Sequence, residues 1–328
     1  MADVQSFARG ATSIQGPIRL SRLDVRFEVP GVESKRIFAN GRMQVRVWVF
    51  VEAVDDSGLP VPLSYFPDLA SVRLIRYHDG KPLALNGYIG QPLPGWNASF
   101  EENRYIHEFP GVVLSPVSGG SAGTPLEFWV SSSEEGQLQI AAEVTMQGKV
   151  YKSNNTVNSD GTKFNKSIVI VAERSPGYSA DFFSWKSQEV YGAFNGTRLF
   201  RYDLGLYSGG HQIKLIDWET RQYGGSNRWQ VKFCYTGIIL SHPRSRSFTG
   251  VMLPVKEKEV DIIGVQLPVS QRDGELVAFK GVPPVYDYSL EEPRLDPFQF
   301  SVIDEFGNSH FLSLVTDIQN SEFLLNRG

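Results

Sequence analysis

The chain has 328 residues, 12% of them aromatic, and a formal net charge of −4 at pH 7. That length exceeds what one compact core usually holds, so two domains are expected. The net negative charge excludes a global attraction to nucleic acid or to an anionic membrane, and a single cysteine, Cys234, excludes an intrachain disulfide framework. Apolar residues at 41% and charged residues at 21% fit a folded soluble protein. Abundant aromatics with dispersed glycine and proline favour strands and turns over helices.

The first 16 residues, MADVQSFARGATSIQG, are polar and carry no apolar signal region, which predicts an N-terminal arm and no export signal peptide. No run approaches the length of a membrane-spanning helix, so no membrane partner is expected. Residues 18–29, IRLSRLDVRFEV, form the first strand candidate. Residues 43–53 then alternate strictly. Met43, Val45, Val47, Val49, Val51 and Ala53 share one face, and Gln44, Arg46, Trp48, Phe50 and Glu52 share the other. A period of two over this length is the mark of a strand with one buried side. The turn DDSG (55–58) and the extended LPVPLS follow.

Further strands are predicted at 71–77, 126–132, 136–147 and 166–173, with turns at HDGKP, LPGWN, SGGSAG and NSDG. This spacing suits an antiparallel sandwich. The best helical windows, SYFPDLASVRL and DIQNSEFLLNR, are short. The segment ERSPGYSAD (173–181) has the composition of a boundary, dividing a domain over 17–173 from a second over 174–328. The second half repeats the strand pattern at 197–207, 211–219, 227–240, 259–267 and 274–281, and ends in a hairpin over 296–315 turning at DEFGN. The fold class is therefore all-β: two antiparallel sandwich or barrel-like domains with little helix.

Two short stretches recur. NGRMQV (40–45) returns as SNRWQV (226–231), and VDDSG (54–58) returns as IDEFG (303–307). The echoes are not collinear, so two explanations stand: a duplicated domain, or convergent strand grammar.

Motifs for chemistry are sparse. The histidines at 78, 107, 211, 242 and 310 show no ligand spacing, and no metal or cofactor is expected. TVNSDGTKFNKS (156–167) imitates a calcium loop around Gly161, but Thr156 and Ser167 stand where acidic ligands belong, so it reads as a hairpin tip. There is no phosphate-binding loop and no G-x-S-x-G; GLYSGG (205–210) reads as a turn. Cys234 reads as a structural thiol. The adjacent acidic pairs at 55–56, 101–102, 134–135 and 291–292 fall in polar loops, whereas glycosidic chemistry wants two carboxyls across one cleft. The lone basic cluster, HPRSRS (242–247), reads as a loop and is too small for a nucleic-acid site. Sequons at Asn97, Asn154, Asn165 and Asn195 read as accidents of composition. No catalytic residues are assigned.

Aromatic side chains on the second face of a strand mark an interface or a covered layer. The candidates are Arg42, Arg46, Trp48 and Phe50 on the motif strand, with Trp96 in the loop-like PGWNASF. The stretch IFANGRMQVRVWVFVEAVDDSGLPV resembles segments of structural proteins of tailed bacteriophages, where an Asn-Gly turn, an Arg-x-Gln-Val strand and an Asp-x-x-Gly hairpin recur in tail and baseplate components. The resemblance implies a non-enzymatic virion subunit of the tail, baseplate or neck. It would be made in the host cytoplasm and assembled in multiple copies with other virion proteins. The alternative from another class is a carbohydrate-binding adhesin, and a third is a hydrolase whose site assembles from distant residues.

Overall fold

A computed structural model describes residues 18–61, 71–85, 93–110, 125–194, 197–222, 229–239, 245–262, 265–282 and 296–328. Strand makes up 60% of the chain and, among the described residues, no helix reaches seven residues, so the fold is all-β as expected. The N-terminal arm, the SGGSAG turn, Asn195, His242 and the 291–292 acidic pair lie outside the described residues.

The first half contains β1 (Arg19–Arg26), β2 (Ser34–Phe38), β3 (Val45–Val54), β4 (Pro60–Val61), β5 (Arg73–Arg76), β6 (Ala84–Leu85), β7 (Trp96–Ser99), β8 (Leu126–Ser132), β9 (Gly136–Met146), β10 (Lys149–Lys152), β11 (Asn154–Val157), β12 (Lys163–Asn165) and β13 (Ile168–Glu173). One sheet has the order β1-β3-β8-β7-β6, with β4 added to β3. The other runs β10-β9-β13-β2, with β5 also paired to β9. Between them lies a single core. The valine face of β3 meets Ile140, Ala142, Val144 and Met146 of β9 and Ile168, Ile170 and Ala172 of β13. The alternation in residues 43–53 thus places its apolar set on the core side.

On the other face of β9, Glu143 is 3% exposed. Its cross-strand partners on either side are Arg73 and Lys152. Their cationic atoms lie 2.5 and 3.3 Å from its carboxylate. A buried carboxylate is tolerable when it is paired in this way.

The second half contains β14 (Phe183–Phe194), β15 (Thr197–Ser208), β16 (His211–Ile213), β17 (Leu215–Glu219), β18 (Val231–Ile239), β19 (Ser245–Met252), β20 (Glu259–Ile262), β21 (Val265–Pro268), β22 (Leu276–Val282), β23 (Phe298–Asp304), β24 (Ser309–Asp317) and β25 (Glu322–Arg327). Its sheets run β14-β15-β22-β19-β18 and β17-β23-β24-β25, with β20–β21 as a separate hairpin. No strand of β1–β13 pairs with one of β14–β25 among the described residues.

The larger sheet is buried on both sides. One face packs on the smaller sheet through Leu204, Phe233, Phe248, Phe298 and Phe323. The opposite face, with Val251, Val277 and Phe279, is covered by Val260 and Ile262 of the β20–β21 hairpin. Double burial explains why β22 opens on four consecutive apolar residues, Leu276 to Phe279, rather than an alternation.

Several expectations change. The DIQNSEFLLNR window is a turn followed by β25. The 211–219 stretch breaks at Lys214 into β16 and β17, which belong to different sheets. The 259–267 stretch folds back as a hairpin. HPRSRS is not all loop, since β19 begins at Ser245. Trp96 opens a strand, β7. The two recurrent motifs occupy unlike places. β3 lies between two neighbours and Met43 is fully buried, whereas β18 is an edge strand and Trp229 is 70% exposed. The halves also differ in strand order, and among the described residues only the first contains parallel pairs, β2–β13 and β6–β7.

Two predictions follow from the second core. A Cβ on Gly250 would lie 2.4 Å from the Phe233 ring and 2.8 Å from the Phe323 ring. Gly250→Ala should therefore destabilise the chain by about 1–3 kcal/mol in denaturant titration, the range for overpacking. Lys280 is 3% exposed, with its Nζ 4.1 Å from the centre of the Phe200 ring. Burial lowers its pKa to about 8 from 10.5. Between these values the unfolded chain holds a proton that the folded chain has released, so this contribution to stability rises with pH across that window. Lys280→Met should stabilise the protein most below pH 8, and the gain over the parent should shrink towards pH 10.

Candidate interaction face and the junction between the halves

The candidate face is the side of β3 that carries Arg46, Trp48, Phe50 and Glu52. Antiparallel pairing with β1 sets Asp24 opposite Phe50, which makes Arg22 and Arg26 the diagonal neighbours of that ring. Their guanidinium carbons lie 4.9 and 4.0 Å from the ring centre. Arg22 is itself held by Glu52 at 2.7 Å and Asp24 at 3.1 Å. Trp48 meets Phe50 edge-on, with ring centres 6.2 Å apart. Arg46 stands between Trp48 and Trp129, at 5.7 and 5.5 Å. Trp129 in turn packs on His107 at 4.5 Å. Burial holds the His107 pKa below its ordinary value despite the Glu102 carboxylate 3.0 Å away.

The result is a ladder in which guanidinium groups alternate with aromatic rings, each cation lying over a π-face. Phe50 is only 2% exposed, so its ring is covered within the chain. Arg46, Trp48 and Phe50 come together as expected, while Arg42 and Trp96 do not join them. Trp96 is half-buried against the first core and is not a loop aromatic. Arg42 belongs to a different feature, a polar junction between the halves.

That junction brings the Asn40-Gly41 turn against the 304–308 turn of the last hairpin. The Asn40 Oδ1 accepts the backbone N–H groups of Arg42 and Met43, both at 2.8 Å, and so fixes its own turn. Its Nδ2 donates to the Phe306 carbonyl at 2.9 Å and to the Asn308 Oδ1 at 2.7 Å. Across the contact, the fully buried Asp304 accepts the backbone N–H groups of Phe306 and Asn308 at 2.9 Å. Its second oxygen accepts from the Asn308 side chain at 3.1 Å and lies 3.0 Å from the His310 Nε2.

Gly307 sits at φ +84°, and a Cβ there would come within 2.6 Å of the Arg42 Cβ. Arg42 donates to the Gly307 carbonyl at 3.2 Å, and the Ile106 N–H donates to the Glu305 carbonyl at 2.8 Å. Arg104 forms an ion pair with Asp217. Phe306 packs on the first core and meets Phe38 edge-on at 5.9 Å. Each turn is legible in the sequence, but their contact is not. Their shared signal was the run of Asp or Asn with glycine.

The remaining chemical candidates take structural places. A bulge between Lys232 and Cys234 turns the thiol into the core beside Phe233. Burial raises the Cys234 pKa to about 11, the reverse of what a nucleophile needs. The calcium-like loop is the tip of the β11–β12 hairpin, where Asp160 accepts from Thr162. The Asn97 side chain is 1% exposed and donates to the carbonyls of Leu93 and Gly95, so that sequon is closed by the fold. Among the described residues, no group of three or more His, Cys, Asp or Glu is placed to hold a metal ion. No protein-family model matches the chain, and no curated protein matches it significantly.

Asn40→Ala removes both halves of the turn contact at once. We expect a loss of about 1–3 kcal/mol, since buried partners are left unsatisfied. Differential scanning calorimetry should show one transition for the parent and two for the variant, as each half then melts alone.

Proposed function

We propose that this protein is a non-enzymatic structural subunit that works by assembling with neighbouring chains. Trp229, the observation that carries this reading, is 70% exposed just ahead of β18. That strand forms an edge of its sheet and pairs only with β19 among the described residues. An exposed tryptophan beside open backbone donors and acceptors is a suitable anchor for a neighbour, which would add a strand and bury the indole. The polar junction supports the same reading, because a subunit that carries load between contacts benefits from halves that move together. The tail or baseplate of a tailed bacteriophage is the finer form of the proposal. It rests on the resemblance of the IFANGRMQVRVWVFVEAVDDSGLPV stretch alone.

The test is sedimentation equilibrium over a wide concentration range, together with electron microscopy of any particle containing the chain. Self-association is expected, and Trp229→Lys should weaken it by about tenfold or more, as for a hot-spot residue. A chain that stays monomeric and joins no particle would refute the assembly reading. So would a glycan ligand bound saturably by the intact chain, which would favour the adhesin instead.

A further inference from the structure

We propose that the cavity between the inter-domain segment and the β24–β25 pair binds a small anion that carries its phosphate or carboxylate on a flat ring. The cavity has a volume of about 650 Å³, within the range of small-molecule sites. Arg174 enters it from the segment that follows β13, and Arg327 from the end of β25. Among the described residues neither guanidinium forms an ion pair, whereas Arg22, Arg36, Arg73, Arg104, Arg198 and Arg201 all do. Arg327 crosses towards the inter-domain segment. Its Nη2 lies 3.5 Å from where a Cβ on Gly177 would stand. Two planar cations therefore converge on one space, and the guanidinium fork matches phosphate and carboxylate oxygens.

The rest of the wall favours a ring. Tyr178 and His310 line the cavity with ring centres 5.4 Å apart, and Phe311, 46% exposed, lines it as well. The exposed Phe311 ring can stack a flat group, while His310, packed between Tyr178 and Phe183, backs the wall. His310 is 6% exposed and uses its Nε2 on Asp304, which fixes the ring and leaves Nδ1 outside that bond. The Asp304 carboxylate is fully buried and already satisfied by the turn it organises. The ligand class is thus an aryl phosphate or an aromatic carboxylate, and the proposal is independent of the assembly reading.

The test is isothermal titration calorimetry of the full chain with phenyl phosphate, benzoate and inorganic phosphate. Phenyl phosphate should saturate with a Kd below about 1 mM and bind about tenfold tighter than inorganic phosphate. Arg174→Ala and Arg327→Ala should each weaken it by about tenfold, and Arg327→Lys by less, because the charge stays while the fork is lost. Both arginines are exposed, so thermal midpoints should stay close to that of the parent, showing that the variants fold. No saturation by phenyl phosphate or benzoate, or binding unchanged in the alanine variants, would overturn the site. Equal affinity for inorganic phosphate would overturn the ring-bearing class.

Discussion

The buried Asp304 carboxylate is the point on which the arrangement of the two halves depends. A carboxylate removed from water must be satisfied by its surroundings or it destabilises the fold. Here its first oxygen is taken by backbone N–H groups of its own turn, and its second by Asn308 and His310. Those bonds give the 304–308 turn a single shape. Only that shape presents the Phe306 carbonyl and Asn308 Oδ1 to Asn40, and the Gly307 backbone to Arg42. The contact between the halves is therefore secondary to a local electrostatic problem solved within one hairpin.

The same logic separates what was legible in the sequence from what was not. The valine alternation of β3 announced its core face because one side of that strand is polar. β22 announced itself as apolar but not as alternating, since hairpin β20–β21 covers its far side. β14 went unread. Its residues, FSWKSQEVYGAF, mix charge and aromatics without a period, which is what an edge strand permits. The break at Lys214 carried no proline or glycine, and only the change of sheet explains it. Of the candidate residues, Arg46, Trp48 and Phe50 were grouped by parity alone, and parity is reliable within one strand. Arg42 and Trp96 needed contacts between distant segments, which no periodicity records.

The guanidinium–aromatic ladder of β3 also bears on what a second face means. Aromatic residues opposite a core face suggest a partner, yet here the arginines of β1 supply the cover. Long cationic side chains can roof an apolar ring while their charges stay near water. The recurrence of Arg-x-Gln-Val therefore marks how strands begin in this chain, and the burial of Met43 against the exposure of Trp229 shows how differently the two beginnings are used.

The parallel pairing of β2 with β13 sets residues 34–38 beside residues 169–173. On a ribosome, the first sandwich cannot be closed until its last strand has emerged. Until then β2, which carries Ile37 and Phe38, lacks the one strand it pairs with among the described residues. Closing so long a loop is slow, and an unpaired strand is open to the wrong partner meanwhile. A chain of this topology therefore keeps an early strand waiting for a late one.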